Sequence, residues 1–315
     1  MAANQAALLQ EGVWYCQTLG RKNHLKMYLA CIDPEMKNRG FDLVRLSTPE
    51  ERRILRSVVE TNMKEEAEKA FEAGAKYFVI SNEHCHSHLR RQEDVDRAAE
   101  LLNPIFKEIE VVCFLRPQID VAVSLASTAA RAGHVVSETF FEDAADKKHF
   151  YTYENLYAMW SWAFQSSRVT LVPFARWPDT IDYFCDVFRL DRSRYTQAAY
   201  ENQALDIRLI ALFNRLSGHQ PTKLNKQLMM SGDIPCIEKI QPGEETARKF
   251  QSRFTSGNKV ISENSLIGIK FKELEPDWEK YKAPQNLFKL SLSDSQLMLE
   301  LAFMVSQVSQ KQFTP

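Results

Sequence analysis

Residues 109–133 read IEVVCFLRPQIDVAVSLASTAARAG and change character at Arg116. The seven residues before it are mostly apolar and β-branched, which is typical of a strand buried in a parallel sheet. Pro117 follows, and proline favours the first position of a helix. Beyond it, polar and small apolar residues recur at steps of three and four, which predicts an amphipathic helix to about Ala132. The stretch therefore predicts a strand-to-helix connection with an arginine at the carboxyl end of the strand.

The rest of the chain alternates in the same way between short apolar runs and amphipathic segments. The apolar runs predict strands at 76–81, 110–115 and 168–174. The amphipathic segments predict helices at 48–73, 92–109, 117–132, 153–165, 178–190 and 204–216. Thr48 and Pro49 make a favourable start for the first helix. Helical spacing predicts that its buried face consists of Ile54, Val58, Met63, Ala67 and Phe71.

Repeated strand–helix units predict an α/β fold. Because parallel strands need crossover connections, the expected architecture is a three-layer, mainly parallel sheet flanked by helices, with a helical C-terminal part. We expect an α/β core over residues 1–195 and a helical extension over 196–315 that packs on it. The small apolar side of helix 117–132 is expected to pack closely on the sheet.

Composition excludes several classes of protein. The 315 residues carry a formal net charge of -1, which argues against a protein that tracks nucleic-acid phosphates. No apolar run approaches the ~18 residues of a membrane helix, and the N-terminus lacks the pattern of a signal peptide. The six cysteines are scattered without a CxxC pair. This usage predicts reduced thiols in a cytoplasmic protein.

In a parallel sheet, ligands bind outside the carboxyl ends of the strands. At the first such end, Arg116 precedes a helix whose polar side carries Asp120, Ser124, Ser127, Thr128 and Arg131. An arginine at the strand end, with hydroxyls along the following helix, is suited to binding an anion. The same pattern fits a solvated helix face with a structural Arg–Asp pair.

The second strand end, residues 80–90, reads ISNEHCHSHLR. Glu83 or a neighbouring histidine could act as a general base on a hydroxyl. Alternatively, Asn82 caps a helix there and the histidines are structural. A third interpretation is metal binding through His84, Cys85, His86 and His88.

The third strand end, residues 172–177, reads VPFARW. Arg176 could add positive charge to a binding site, and Trp177 could stack on a ring. The alternative is ordinary loop packing with a solvated arginine.

The segment LRPQIDVAVS, residues 115–124, resembles the 3′-phosphate-binding segment of sulfotransferases that use the donor PAPS (3′-phosphoadenosine 5′-phosphosulfate). The pattern RxxxDxxxS is filled by Arg116, Asp120 and Ser124. The resemblance implies that Arg116 and Ser124 bind the 3′-phosphate of PAPS and that Asp120 orients Arg116. Other segments fall in an order similar to that of bacterial sulfotransferase-like proteins, among them NH at 23–24, YTYENLYAMWSWAF and VTLVPFARW.

This resemblance implies a reaction and a set of roles. The reaction is transfer of a sulfuryl group to a hydroxyl or amine of a glycan or another small polar acceptor, without a metal. Glu83 matches a glutamate that follows the strand in the similar proteins, so Glu83 or His84 is the expected base. We treat His86 and Arg176 as candidate substrate-binding residues. The acceptor is expected to meet the variable segments 133–152 and 217–262.

The family also has a glycine-containing phosphate loop after its first strand, and the sequence has no such loop. Its ten glycines include no GxxxxGK[ST] or GxGxxG pattern, and TSGNK at 255–259 lacks a preceding strand. We therefore expect the chain to begin one strand and one loop later than its relatives. Two alternatives stay open: a degenerate, non-catalytic protein that binds a nucleotide or a partner, and a metal-dependent enzyme built on residues 83–88.

Overall fold

A computed structural model describes residues 2–20, 23–165, 168–196, 204–216 and 236–312. The chain forms two compact units. The first comprises Met1–Leu115, Thr152–Ala198 and Val260–Ile269. The second comprises Arg116–Tyr151, Ala199–Lys259 and Lys270–Pro315. Residues 116–151 thus group with the C-terminal part of the chain, although they lie within the range expected for the α/β core.

The helices, in chain order, are α1 (Gln5–Gln10), α2 (Leu25–Cys31), α3 (Arg39–Leu43), α4 (Pro49–Glu72), α5 (His84–His88), α6 (Gln92–Leu102), α7 (Gln118–Arg131), α8 (Phe140–Ala145), α9 (Tyr153–Phe164), α10 (Thr180–Val187), α11 (Ile207–Leu216), α12 (Glu244–Ser252), α13 (Thr255–Glu263) and α14 (Asp294–Gln312). All six predicted helices are present, and the one expected over 92–109 ends earlier, at Leu102, just before Pro104. Residues 255–259 begin a helix.

Four strands lie in the first unit: β1 (Val13–Tyr15), β2 (Tyr77–Val79), β3 (Val111–Leu115) and β4 (Val169–Pro173). β1 pairs in parallel with β2, and β3 pairs in parallel with β4. Among the described residues, no strand pairing joins the two pairs into one sheet. The prediction of an α/β fold with parallel strands is confirmed. β1 is a strand that periodicity did not predict.

Helix α4 begins where the sequence places it. Thr48 and Glu51 form a capping box: the Glu51 N–H donates to Thr48 Oγ1 (3.2 Å) and the Thr48 N–H donates to the Glu51 carboxylate (2.9 Å). The predicted buried face was wrong for three of its five residues, because Ile54, Val58 and Phe71 are 53%, 47% and 80% exposed, whereas Met63 is buried as predicted. The buried residues of the helix are Val59, Met63, Glu66 and Ala70.

The buried carboxylate of Glu66 explains why the helix turns this face inward. It accepts hydrogen bonds from Trp14 Nε1 (2.8 Å), the Gln17 N–H (2.6 Å) and the Thr18 N–H (2.8 Å). Burial raises the pKa of Glu66, but these hydrogen bonds outweigh burial and leave the pKa below its ordinary value. Glu66 therefore fixes the turn that follows β1.

We expect the substitution Glu66→Gln to lower the free energy of unfolding by about 2 kcal/mol at pH 7, because its amide would present donors to backbone N–H groups. Since folding lowers the Glu66 pKa, the carboxylate's contribution is complete above about pH 5 and declines as the pH falls through the unfolded value. Urea unfolding at pH 7 and pH 4 should show the difference from wild type shrinking at pH 4. The exposed neighbour Glu65 gives the control Glu65→Gln. A difference that stays constant between the two pH values would contradict this account.

The second unit is helical over its described residues. The small apolar face of α7, made of Ile119, Ala122, Ala126 and Ala130, is fully buried. It belongs to a hydrophobic cluster with residues of α8, α11 and α12, including Phe141, Ile207, Ile210 and Phe250. The face was expected to pack on the sheet, but this cluster contains no strand residue. The small side chains of this face allow α7 to pack closely against the neighbouring helices.

The six cysteines are free thiols. In the described ranges, no helix is both long enough and apolar enough to cross a membrane.

Candidate functional site

The carboxyl end of β2 places Glu83 at the protein surface. Its side chain is 71% exposed, and its Oε1 accepts a hydrogen bond from Asn23 Nδ2 (3.3 Å). His84 Nε2 lies 3.9 Å from the same oxygen. The Asn82 side chain accepts from the Cys85 N–H (2.9 Å) at the start of α5. Asn82 therefore acts at the helix N-terminus, and Glu83 and His84 lie together beside Asn23.

The three histidines of α5 do not converge. The His88 ring stacks on the ring of Tyr28, with 4.6 Å between centroids, and the His84 ring lies 5.4 Å from Tyr28. His86 instead lies 6.5 Å from the ring of Tyr153. Burial, with help from the nearby charges of His84 and Arg90, lowers the pKa of His88 to about 4. His88 is therefore neutral at pH 7 and packs as an aromatic ring.

The α5 segment does not provide the ligand set that the metal hypothesis requires. Within the described ranges, no three His, Cys, Asp or Glu side chains come together as a metal site. Burial also raises the pKa of the Cys85 thiol, which disfavours the thiolate that binds metals.

In the second unit, Arg116 lies at the start of α7 and its side chain is exposed. Ser124, two turns later on the same helix, is also exposed. Asp120 lies between them and accepts a hydrogen bond from Tyr281 Oη (2.5 Å), while Lys280 Nζ lies 3.7 Å away. Asp120 is thus held by residues of the C-terminal part of the chain. Its expected role in orienting Arg116 stays a prediction.

A buried cluster of three amides fixes the beginning of α7. Gln118 Nε2 donates to Asn258 Oδ1 (2.7 Å), and Gln251 Nε2 donates to Gln118 Oε1 (2.8 Å). Gln251 Oε1 accepts from the Ile119 N–H (3.1 Å), one of the helix donors that lack an intrahelical partner. The sequence gives no signal for this cluster, because Gln118 is more than 130 residues away from Gln251 and Asn258 along the chain.

The remaining polar residues of α7 have structural contacts. Ser127 is buried, and its Oγ accepts a hydrogen bond from the Leu205 N–H (3.1 Å). Thr128 Oγ1 donates to the Ser124 carbonyl (3.4 Å) within the helix. On the predicted polar face, the side chains of Arg116 and Ser124 are therefore exposed, whereas the side chain of Ser127 is buried and holds the Leu205 backbone.

The third strand end carries Arg176, whose side chain is exposed just after β4. Its Nη2 donates to the Gly268 carbonyl (3.3 Å), so it ties two segments of the first unit together. The Trp177 ring packs edge-to-face on Tyr183, with 5.5 Å between centroids. Trp177 therefore packs against the protein itself, as in the loop-packing interpretation.

The predicted site residues fall in both units. Glu83, His84, His86 and Arg176 belong to the first, and Arg116, Asp120 and Ser124 belong to the second. Of the segments expected to meet an acceptor, 133–152 is described, whereas 217–235 lies outside the described residues. Asn23 and its neighbour His24 also contact the β2 strand end; they belong to a segment that resembles sulfotransferase-like proteins, but the sequence indicates no role for either residue.

A scan against protein-family models and searches of curated proteins and of solved structures each found no match for this chain.

Proposed function

We propose that the chain is a sulfotransferase-like protein that transfers a sulfuryl group from PAPS to a hydroxyl or amine of a glycan or another small polar acceptor. The observation that carries the proposal is the placement of Arg116 and Ser124. Both side chains are exposed: Arg116 lies just before a 14-residue helix that follows a parallel strand, and Ser124 lies about two turns later on that helix. A guanidinium, a hydroxyl and a helix N-terminus together suit a phosphate dianion. In this role Arg116 supplies charge-assisted hydrogen bonds and Ser124 a neutral one.

The proposed chemistry assigns a proton transfer to Glu83. As the acceptor oxygen or nitrogen forms its bond to sulfur, the bond between sulfur and the bridging phosphate oxygen breaks, and PAP leaves with that electron pair. The acceptor proton must go to a base, and the exposed Glu83 carboxylate is a suitable one. Asn23 holds this carboxylate through one oxygen. His84 is the alternative base, and His86 and Arg176 are proposed to contact the acceptor.

The proposal extends to fold and location. Parallel strand pairs and crossover helices are compatible with a three-layer sulfotransferase fold, in which the two pairs would belong to one mainly parallel sheet. Six free thiols are compatible with a cytoplasmic protein. No metal is required by the mechanism, because the donor already carries an activated sulfuryl group.

One observation favours a second candidate function. The 315-residue sequence contains no GxxxxGK[ST] or GxGxxG motif of the kind that forms a phosphate loop and stabilises a leaving phosphate. A non-catalytic protein of the same fold, which binds a nucleotide or a partner through Arg116 and Ser124, needs no such loop. Binding and transfer therefore have to be measured separately.

The proposed 3′-phosphate site predicts that Arg116→Ala weakens binding of PAP by about 2 kcal/mol, or about 30-fold in Kd, because a charge-assisted contact is lost. Ser124→Ala is expected to cost about 1 kcal/mol, since a neutral hydroxyl forms a weaker bond. Isothermal titration calorimetry on the 315-residue chain measures both. Arg253, an exposed arginine of the same unit, provides the control Arg253→Ala. Equal affinity of the Arg116 variant and the wild type would remove Arg116 from the site.

A further inference from the structure

His24 is a fully buried histidine that binds the segment after β2 through three hydrogen bonds. Its N–H donates to the Ser81 carbonyl (3.3 Å), and its own carbonyl accepts from Asn82 Nδ2 (2.5 Å). Its ring nitrogen Nδ1 accepts from the Ser81 N–H (2.8 Å). One residue from the segment after β1 therefore holds two consecutive residues that come just before Glu83.

The hydrogen bond at Nδ1 fixes the protonation state of the ring. A nitrogen that accepts from a backbone N–H carries no proton, so the neutral ring bears its proton on Nε2. Burial lowers the pKa of His24, although the Cys16 backbone and Glu66 oppose the change. The Tyr15 ring lies 4.5 Å away and packs against the imidazole. Nε2 is itself buried, so the ring is held in this orientation chiefly by the bond at Nδ1.

Asn23, the residue before His24, also binds the segment after β2. Asn23 Nδ2 donates to Glu83 Oε1, while Asn23 Oδ1 is buried without a partner. This amide orientation is the one that a carboxylate requires, because only the NH2 group can donate to it. Asn23 and His24 thus hold Ser81, Asn82 and Glu83, three successive residues of the strand-end loop.

We propose that His24 is a positioning residue for Glu83, acting through the hydrogen bond between its Nδ1 and the Ser81 N–H. The proposal rests on the proposed function only in naming Glu83 as the base. His24 is not a base in its own right, because its ring is buried and its Nδ1 lone pair is already used. Its role is to keep the loop after β2 in one conformation, so that the exposed carboxylate keeps its direction.

Two substitutions separate this hydrogen bond from simple filling of space. In His24→Asn, the side-chain oxygen lies near the position of Nδ1 and can still accept from Ser81. In His24→Gln, the longer side chain fills more of the imidazole volume but places its amide near the position of Nε2. If volume alone matters, the Gln variant should resemble the wild type more closely. If the Ser81 bond matters, the Asn variant should.

We expect amide hydrogen exchange at Ser81 to be about tenfold faster in His24→Gln than in His24→Asn, the factor produced by losing one backbone hydrogen bond. The ¹³C carboxyl resonance of Glu83 should shift in the Gln variant and stay near its wild-type position in the Asn variant. In wild-type protein labelled with ¹⁵N-histidine, the His24 resonances should show the Nε2–H tautomer. Where sulfuryl transfer is measurable, kcat should fall about tenfold in the Gln variant while KM for PAPS is unchanged.

The outcomes distinguish this proposal from the proposed function. Equal Ser81 exchange in the two variants, or exchange that follows side-chain volume, overturns the positioning role. So does an Nδ1–H tautomer in the wild type. If no form of the protein transfers a sulfuryl group, Ser81 exchange, the His24 tautomer and the Glu83 resonance still decide whether His24 positions the carboxylate, and only the function of Glu83 is lost.

Discussion

A longer chain that carries a β-strand and a glycine-containing phosphate loop before Met1 should transfer sulfuryl groups from PAPS at least about 100-fold faster than the 315-residue chain. The expected gain follows from the donors of such a loop, which stabilise the charge that develops on the leaving phosphate; removing a single donor of this kind typically costs ~100-fold or more in rate. In the proposed reaction, Glu83 is the base, and Arg116 and Ser124 bind the 3′-phosphate. None of the described residues is proposed to stabilise the charge on the leaving phosphate.

We expect the strand of the longer chain to pair with an open strand edge of the first unit. Among the described residues, β2 is paired only with β1 and β3 only with β4, so each has one edge whose N–H and C=O groups lack a strand partner. Tyr77 of β2 and Val112 of β3 are 51% and 41% exposed, whereas Val13 of β1 and Val169 of β4 are buried. Strands inside a parallel sheet are normally the most buried ones. We therefore expect the added strand to pair with β2, with β3 or with both.

Three chains distinguish the effect of the strand from that of the loop: the 315-residue chain, the extended chain, and an extended chain whose loop residues are replaced by alanine. Urea unfolding and transfer of ³⁵S from labelled PAPS onto a mixed glycan pool are measured for each. Both extended chains should be more stable than the short chain, and only the one with the intact loop should be fast. If the short chain is monomeric, stable and equally active, the donor site lies elsewhere, and the roles given to Glu83 and Arg116 fall with it.

Strand–helix alternation was sufficient to predict β2, β3, β4 and the helices around them, because each is a continuous run with its own period. The buried side of α4 was not predictable in that way. The buried side of α4 includes Glu66. A glutamate is ordinarily predicted to face solvent, and only the structure shows the backbone N–H groups that donate hydrogen bonds to this one. Those donors follow β1, a three-residue strand too short for its period to be recognised.

The candidate site shows the same limit. Glu83 and Arg116 could be proposed as site residues because both follow a recognisable strand, and the carboxyl ends of parallel strands are where ligands bind; their roles stay predictions. His24 was not predicted, because its partner is the backbone N–H of Ser81, 57 residues away. Every residue except proline has a backbone N–H group, so the residue type does not reveal which N–H group binds a given side chain. A lone histidine in a sequence therefore says nothing of the loop that it holds.

Replacing the Glu83 carboxylate by the amide in Glu83→Gln should lower kcat about 100-fold in whichever form of the protein shows transfer. General bases typically contribute 100-fold to 10,000-fold, and the amide cannot accept the acceptor's proton. Binding of PAP should be unchanged, because the donor is held by Arg116 and Ser124 in this proposal. The exposed Glu93, in the first turn of α6, gives the matched control Glu93→Gln. The rate of that control should equal the wild-type rate.

His84→Gln decides between the two candidate bases. The His84 Nε2 lies 3.9 Å from Glu83 Oε1, close enough for the two side chains to influence each other, so the double variant is needed beside the two single variants. If Glu83 is the base, His84→Gln should change kcat by less than about fivefold, and the double variant should be no slower than Glu83→Gln. A wild-type rate in Glu83→Gln together with a large loss in His84→Gln would transfer the role to the histidine. Wild-type rates in both single variants and in the double variant would exclude the end of β2 from the chemistry, since neither of its candidate bases would then take the proton.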